Sequence, residues 1–313
     1  MGLFITLVSQ ASSDKVNEKN YERTIQSMQE IKKAILGTHS ERVRGDIRFA
    51  GYVPDMGDLP ELIDGQPRGL WTYGKGVDKD NDGKPDGGDL DGDGEIDLPF
   101  YTYYEVCDPE SKEYPDTEQK IFLGWNGPYL RPPAGGVLKD GWGNPFIFKR
   151  IGNNFIIMSL GADGKQGGTG YDKDISVIIN ENDWLGCVAG YISPHVIYTS
   201  KDDIERDGRS FPDSGDLTEV KVHIYYKPKK DTCKARGWGG WGRQYTYRCV
   251  DELWQPVGKD GYFHFDGVPI GTDRLLAITQ EIVEEGKKKD ILQPYKIDIE
   301  PGINWLGNMG SVP

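Results

Sequence analysis

At 313 residues the chain is long enough for two domains, each with a core of its own. Its 36% apolar and 11% aromatic content excludes a disordered chain, and 42 glycines and 19 prolines argue for many turns and a β-rich architecture. The formal net charge of -13 argues against nucleic acid as a partner, because little here would neutralise a phosphate backbone.

The N-terminal MGLFITLVSQAS is apolar but too short to span a bilayer, and no basic segment precedes it as in a secretory signal. It is compatible with the end of a longer hydrophobic helix. From Asn20 to Gly37 the apolar positions Tyr21, Ile25, Met28, Ile31 or Lys32, and Ile35 recur at steps of three and four, which predicts one helical stripe. Gly37 supplies a C-cap. Residues 1–40 therefore read as one long helix, apolar first and amphipathic later.

Residues 41–75 are short segments broken by glycine and proline. Then comes DKDNDGKPDGGDLDGDGEID (78–97), nine carboxylates against two lysines. A twelve-residue calcium-loop template lays Asp78, Asp80 and Asp82 at alternate positions, with Gly83 at the sharp turn and the Lys84 carbonyl after it. Either Asp86 or Asp89 closes this first site. The template restarts at Asp89, Asp91 and Asp93, with Gly94, Glu95 and Asp97 following. Unneutralised, such a run repels itself; around a hard cation the same oxygens become ligands. Two calcium sites are expected, structural rather than catalytic, in an insertion spanning 76–98. The flanks are not helical, so this is no helix–loop–helix site; it resembles the calcium loops of thrombospondin type 3 repeats and dockerins.

Strand-like runs follow at 99–107, 145–151 and 154–160, the last two joined by Gly152 and Asn153 as a hairpin. Beyond residue 190 short strands recur with turn signals between them, which predicts a β-sandwich over 190–313. Cys107, Cys187, Cys233 and Cys249 form no CxxC pair and the four histidines are scattered, so the spacing argues against zinc. Bridges Cys107–Cys187 and Cys233–Cys249 are the favoured pairing of three, in an oxidising compartment; four buried thiols are the alternative. No nucleophile–base spacing, Walker loop or dinucleotide fingerprint occurs, so an enzyme is not expected.

The stretch GPYLRPPAGGVLKDGWGNPFIFKRIGNNFIIMSLGADGKQGGTGYDKDI (127–175) resembles the C-terminal part of the major pseudopilin of type II secretion systems, a relative of type IV pilins. With the helix at the front, the resemblance covers residues 1–185. It implies an α+β fold, a long helix carrying a small antiparallel β-sheet head over 41–189. It also implies assembly with copies of itself through that helix, other pilins or secretion-machinery components as partners, and an extracytoplasmic place: inner-membrane-anchored before assembly, then periplasmic or on the cell surface. The family's calcium loop falls on 160–174, where Asp163, Asp172, Asp174 and the carbonyl of Leu160 stand among five glycines. The cleavage motif and early glutamate of prepilins are missing from the N-terminus as numbered. In the C-terminal region, GKDGYFHFDGVPIGTDRLLAI (258–278) resembles carboxypeptidase regulatory-like and prealbumin-like domains. The leading expectation is a calcium-stabilised filament subunit displaying a sandwich. The alternative is a calcium-dependent adhesin or carbohydrate-binding module, with Trp238, Trp241, Tyr245 and Tyr247 stacking on sugar rings.

Overall fold

The computed structural model describes residues 2–43, 46–79, 83–105, 120–192, 220–236, 244–258, 260–284 and 287–309. Helix α1 (Gly2–Leu36) opens the chain as one rod, about 50 Å long at the usual rise. It stops at Gly37, whose positive φ of 81° lets its N–H return to the Lys33 carbonyl at 2.7 Å. The buried stripe is Thr24, Met28, Ile31, Ala34 and Ile35. Tyr21 lies outside it, exposed and edge-on to Tyr171, while Lys32 leaves the stripe to pair with Asp183 at 2.9 Å. Among the described residues no helix is long and apolar enough to cross a membrane.

After α1 come an antiparallel pair, β1 (Thr38–Val43) and β2 (Asp46–Ala50), and the short helix α2 (Tyr52–Met56). Strands β3 (Lys75–Val77), β4 (Gly87–Asp89) and β5 (Leu98–Pro99) form a small antiparallel sheet, and β6 (Thr102–Glu105) pairs with β7 (Lys120–Leu123). The predicted hairpin is β8 (Ile147–Ile151) and β9 (Asn154–Ser159), with Ile151 opposite Asn154; β10 (Ile175–Ile179) completes its sheet. Phe146, Phe148, Phe155, Ile157 and Ile179 meet Met28, Ile31 and Ile35 of α1 in one core, together with Val53 and Leu70. Each such side chain, fully buried, contributes about 1.5–3 kcal/mol, so the second half of α1 is docked on the head.

The one-turn helix α3 (Glu181–Trp184) leads into β11 (Leu185–Ile192), followed by β12 (Val220–Arg236), β13 (Gln244–Pro256), β14 (Tyr262–Pro269), β15 (Gly271–Glu284), β16 (Lys287–Ile299) and β17 (Gly302–Met309). These make two sheets, ordered β14-β11-β17 and β16-β15-β12-β13-β6-β7. Val188, Phe263, Phe265 and Met309 from the first share a core with Val222, Ile224, Leu276, Ile278 and Ile297 from the second. The fold is thus α+β: a helix on small antiparallel sheets, followed by β-rich C-terminal sheets.

The two regions are packed together. Strand β11 starts at Leu185, ahead of residue 190, and β6 runs parallel beside β13, with Glu105 opposite Cys249. Tyr104, Ile121 and Leu123 of β6 and β7 bury against Tyr225, Val250, Leu275 and Ala277. Asp58, just after α2, binds both Arg150 of β8 (2.7 Å) and Lys227 of β12 (2.6 Å). The buried Arg274 of β15 donates to the Pro54 carbonyl of α2 at 2.8 Å.

Candidate functional site

The acidic stretch folds as two consecutive turns around β4, and the described bonds of one repeat in the other. In the first turn Asp78 Oδ2 accepts from the Gly83 N–H (2.9 Å) and Asp86 Oδ2 from the Lys79 N–H (2.9 Å). In the second, Asp89 Oδ2 accepts from Gly94 (3.1 Å) and Asp97 Oδ2 from Leu90 (2.7 Å). Gly83 and Gly94 sit at φ 88° and 87°, a conformation that side chains rarely adopt. The unit is therefore nine residues long, D-x-D-x-D-G-x-x-D, over 78–86 and 89–97. Asp86 stands in the first turn where Asp97 stands in the second.

In the second turn the carboxylate oxygens of Asp89, Asp91 and Asp97 all lie within 4.8 Å of one another, an arrangement that could hold a cation. Asp89 also accepts from Gly92 at 2.5 Å, and this backbone donor, with Gly94 and Asp91, holds its pKa below the ordinary carboxylate value. Asp97 is pushed the other way, chiefly by burial. Asp93 accepts from the Glu95 N–H at 2.7 Å, and Glu95 turns its carboxylate to Lys79, away from the cluster. In the first turn Asp78 Oδ1 is buried without a hydrogen-bond partner among the described residues, Asp86 is buried and Lys84 is exposed. Asp80 and Asp82 lie outside the described residues. An oxygen-only donor set of this kind suits a hard cation, and a buried carboxylate oxygen lacking a donor fits the first turn to the same use.

The loop 160–174 folds back on itself as its glycines suggest: a Cβ on Gly168 would meet the Asp172 carbonyl at 2.4 Å. Asp174 accepts from the Gly167 N–H with both oxygens at 3.1 Å, and Asp163 from Lys165 at 3.0 Å. The carboxylates of Asp163, Asp172 and Asp174 do not converge as Asp89, Asp91 and Asp97 do. An ion here would draw on backbone carbonyls such as that of half-buried Leu160.

The KDGWGNPF segment is built on Asp140, which is buried. Its Oδ1 accepts from the N–H groups of Trp142 (3.0 Å) and Asn144 (2.8 Å), and its Oδ2 from the Ser159 hydroxyl (2.6 Å). The loop so formed meets α1. The Gly141 N–H donates to Thr24 Oγ1 (2.9 Å) and the Trp142 indole to Asn17 Oδ1 (3.1 Å).

The expected Cys107–Cys187 bridge is unsupported: Cys187 is a free thiol on a strand paired with β14, its Sγ 3.2 Å from Asp266 Oδ1. Cys107 lies outside the described residues, as do the side chains of Cys233 and Cys249; by backbone register Cys233 faces Tyr247 across β12 and β13. Trp238 and Trp241, with the side chains of Tyr245 and Tyr247, also lie outside them.

Residues 110–178 match the family model described as "Type II secretion system (T2SS), protein G". A curated relative, the type II secretion system core protein G of Xanthomonas campestris pv. campestris, is 43% identical over 54 residues, 17% of this chain and 36% of that protein. The chain thus spans about a third of the relative's length. No solved structure matches. The matched family is structural and non-enzymatic. It covers the Asp140 loop, the β8–β9–β10 sheet and the glycine-rich loop, while the acidic turns and C-terminal sheets stand outside the match. Residues 110–178 are thus similar to protein G of the type II secretion system, within a longer chain.

Proposed function

We propose that this chain is a subunit of an extracytoplasmic filament of the pseudopilus type, assembling with copies of itself through α1. The observation that carries this reading is the docking of α1 on the protein G domain. Its second half is fixed by Met28, Ile31, Ile35 and the Thr24–Gly141 bond, while Asp14, Lys15, Val16, Glu18 and Lys19 stand exposed ahead of the head. A rod held by one half offers the other half to neighbours. The filament would be anchored in the inner membrane before assembly and stand in the periplasm, with the secretion machinery as partner. The chain has no catalytic role in this reading.

Calcium is the ion that the acidic turns fit. In the second turn Asp89, Asp91 and Asp97 would ligate, with Asp93 adjoining; in the first, Asp78, Asp80, Asp82, the Lys84 carbonyl and Asp86, with Asp86 closing the site by its equivalence to Asp97. The loop 160–174 would take a third ion. Bound calcium would stiffen a small sheet that has little core of its own, and the C-terminal sheets, a sandwich over 190–313, would project from the filament.

The test is expression of the full chain with a type II secretion assembly system. Filaments recovered by shearing and seen by electron microscopy support the reading; a chain that stays monomeric at the membrane sinks it. Calorimetry on chelator-stripped protein tests the ions separately: two or three calcium ions per chain, not replaced by magnesium, are expected, and no binding removes them.

A further inference from the structure

The outer face of β14 and β11 carries a second group of ligand-type side chains, unrelated to the acidic turns. Strand alternation turns Phe263 and Phe265 inward and Tyr262, His264 and Asp266 outward. Cys187 joins them through a bulge. Gly186 pairs with Val268 and Val188 with Phe265, so Cys187 alone faces Asp266 and Gly267, the latter at φ 71°. The thiol, the imidazole and the carboxylate meet there: Cys187 Sγ and His264 Nε2 lie 3.2 and 3.3 Å from the same oxygen, Asp266 Oδ1, and all three ligand atoms fall within 4.8 Å.

We propose that Cys187, His264 and Asp266 form a binding site for one divalent transition-metal ion of zinc's class. A tetrahedral ion with bonds of about 2.0–2.3 Å holds neighbouring ligand atoms about 3.3–3.7 Å apart. The two separations to Asp266 are already near that spacing, so small rotations of the side chains suffice. The donor set of one sulfur, one nitrogen and one oxygen selects a borderline ion over calcium or magnesium. A thiol nucleophile is a poorer reading, because Cys187 contacts the carboxylate, which raises its pKa, rather than the imidazole that would activate it. Metal binding would replace the thiol proton.

The ligands stand on strands held from both sides. Asn304 of β17 donates to the Cys187 carbonyl at 3.1 Å, the Gln255 side chain donates to the His264 carbonyl, and the Tyr262 ring stacks beside His264. His264 is 40% and Asp266 75% exposed on its side chain, which leaves a coordination position open to solvent. The site is therefore accessible to exchange and to chelators.

The full chain, reduced and stripped of metal, is titrated with cobalt(II) as the probe. One equivalent giving a thiolate-to-cobalt absorption band, bleached by zinc but not by calcium, is expected. Cys187→Ser should abolish the band. His264→Ala should weaken binding by more than the about 10–100-fold typical of losing an outer partner, with the metal-free circular dichroism unchanged in both. Absence of a band, or a band that survives in Cys187→Ser, overturns the proposal. Should Cys187→Ser fail to fold, alkylation of the wild-type chain decides: zinc should protect the Cys187 peptide from iodoacetamide, and unchanged labelling overturns the site.

Discussion

Asp97 and Asp89 face each other across the second acidic turn with opposite tendencies, and the difference fixes how an ion there should respond to pH. Backbone donors led by Gly92 keep Asp89 charged, whereas burial makes Asp97 the carboxylate that takes up a proton as pH falls. An ion must displace that proton, so calcium binding is expected to weaken on acidification from a pH above the ordinary aspartate range. Asp97→Asn should remove one ion per chain and this pH dependence together, as read by calorimetry at two pH values. An ion present at about a hundred times its dissociation constant stabilises by about 2.7 kcal/mol, and the variant should lose that gain in thermal melts. Asp140 makes a second prediction at this scale. It accepts three hydrogen bonds while buried, so Asp140→Ala should cost about 3 kcal/mol in denaturant unfolding. A loss below about 1 kcal/mol would mean that the loop is held by something else.

Gly141 is where the head loop touches the helix. A Cβ there would meet the Asn20 carbonyl at 2.0 Å, and that backbone cannot move aside without shifting α1. Gly141→Ala is expected to cost about 2 kcal/mol or more and to raise hydrogen exchange along the second half of α1; unchanged exchange would show that the helix is held by its apolar stripe alone. Met28, Ile31 and Ile35 of the stripe were legible in the sequence, because steps of three and four mark a buried helical face whatever it packs against, whereas Thr24 and Ala34 were not and Tyr21 lies outside it. The β8–β9 hairpin was legible too, since Gly152 and Asn153 carry their own turn chemistry. Strands β11 (LGCVAGYI) and β17 (GINWLGNM) were not: both are interrupted by glycine, and they are strands because their neighbours complete a sheet. The nine-residue repeat of the acidic turns stood in plain view, but a twelve-residue template laid over it left the role of Asp86 open. Cys187, His264 and Asp266 could not be grouped by spacing, because a strand pairing across much of the chain brings them together.

At the scale of the molecule, the joint between head and C-terminal sheets turns on Asp58. Burial acts to raise its pKa, but the bond to Lys227 and the charges of Lys227 and Arg150 outweigh it and hold the carboxyl below its ordinary value. A depressed folded-state pKa contributes stability that is present above the unfolded value, about 3.9, and is lost as pH falls through the folded one. Asp58→Asn should therefore be less stable than wild type at neutral pH, and the gap between them should close in acid; a gap independent of pH would assign the loss to packing. The parallel pairing of β6 with β13 bears on a different matter, the order in which the molecule can be made. The helix and the head emerge first, yet β6 finds its neighbour only once the chain has been delivered as far as Cys249. Until then one flank of the β6–β7 pair offers unpaired backbone groups to any copy nearby. A chain ended after Ile192 is accordingly expected to associate more readily than the full chain, a difference that light scattering would register. Crowding of nascent copies makes that interval a hazard, and late arrival of the C-terminal strands is what closes it.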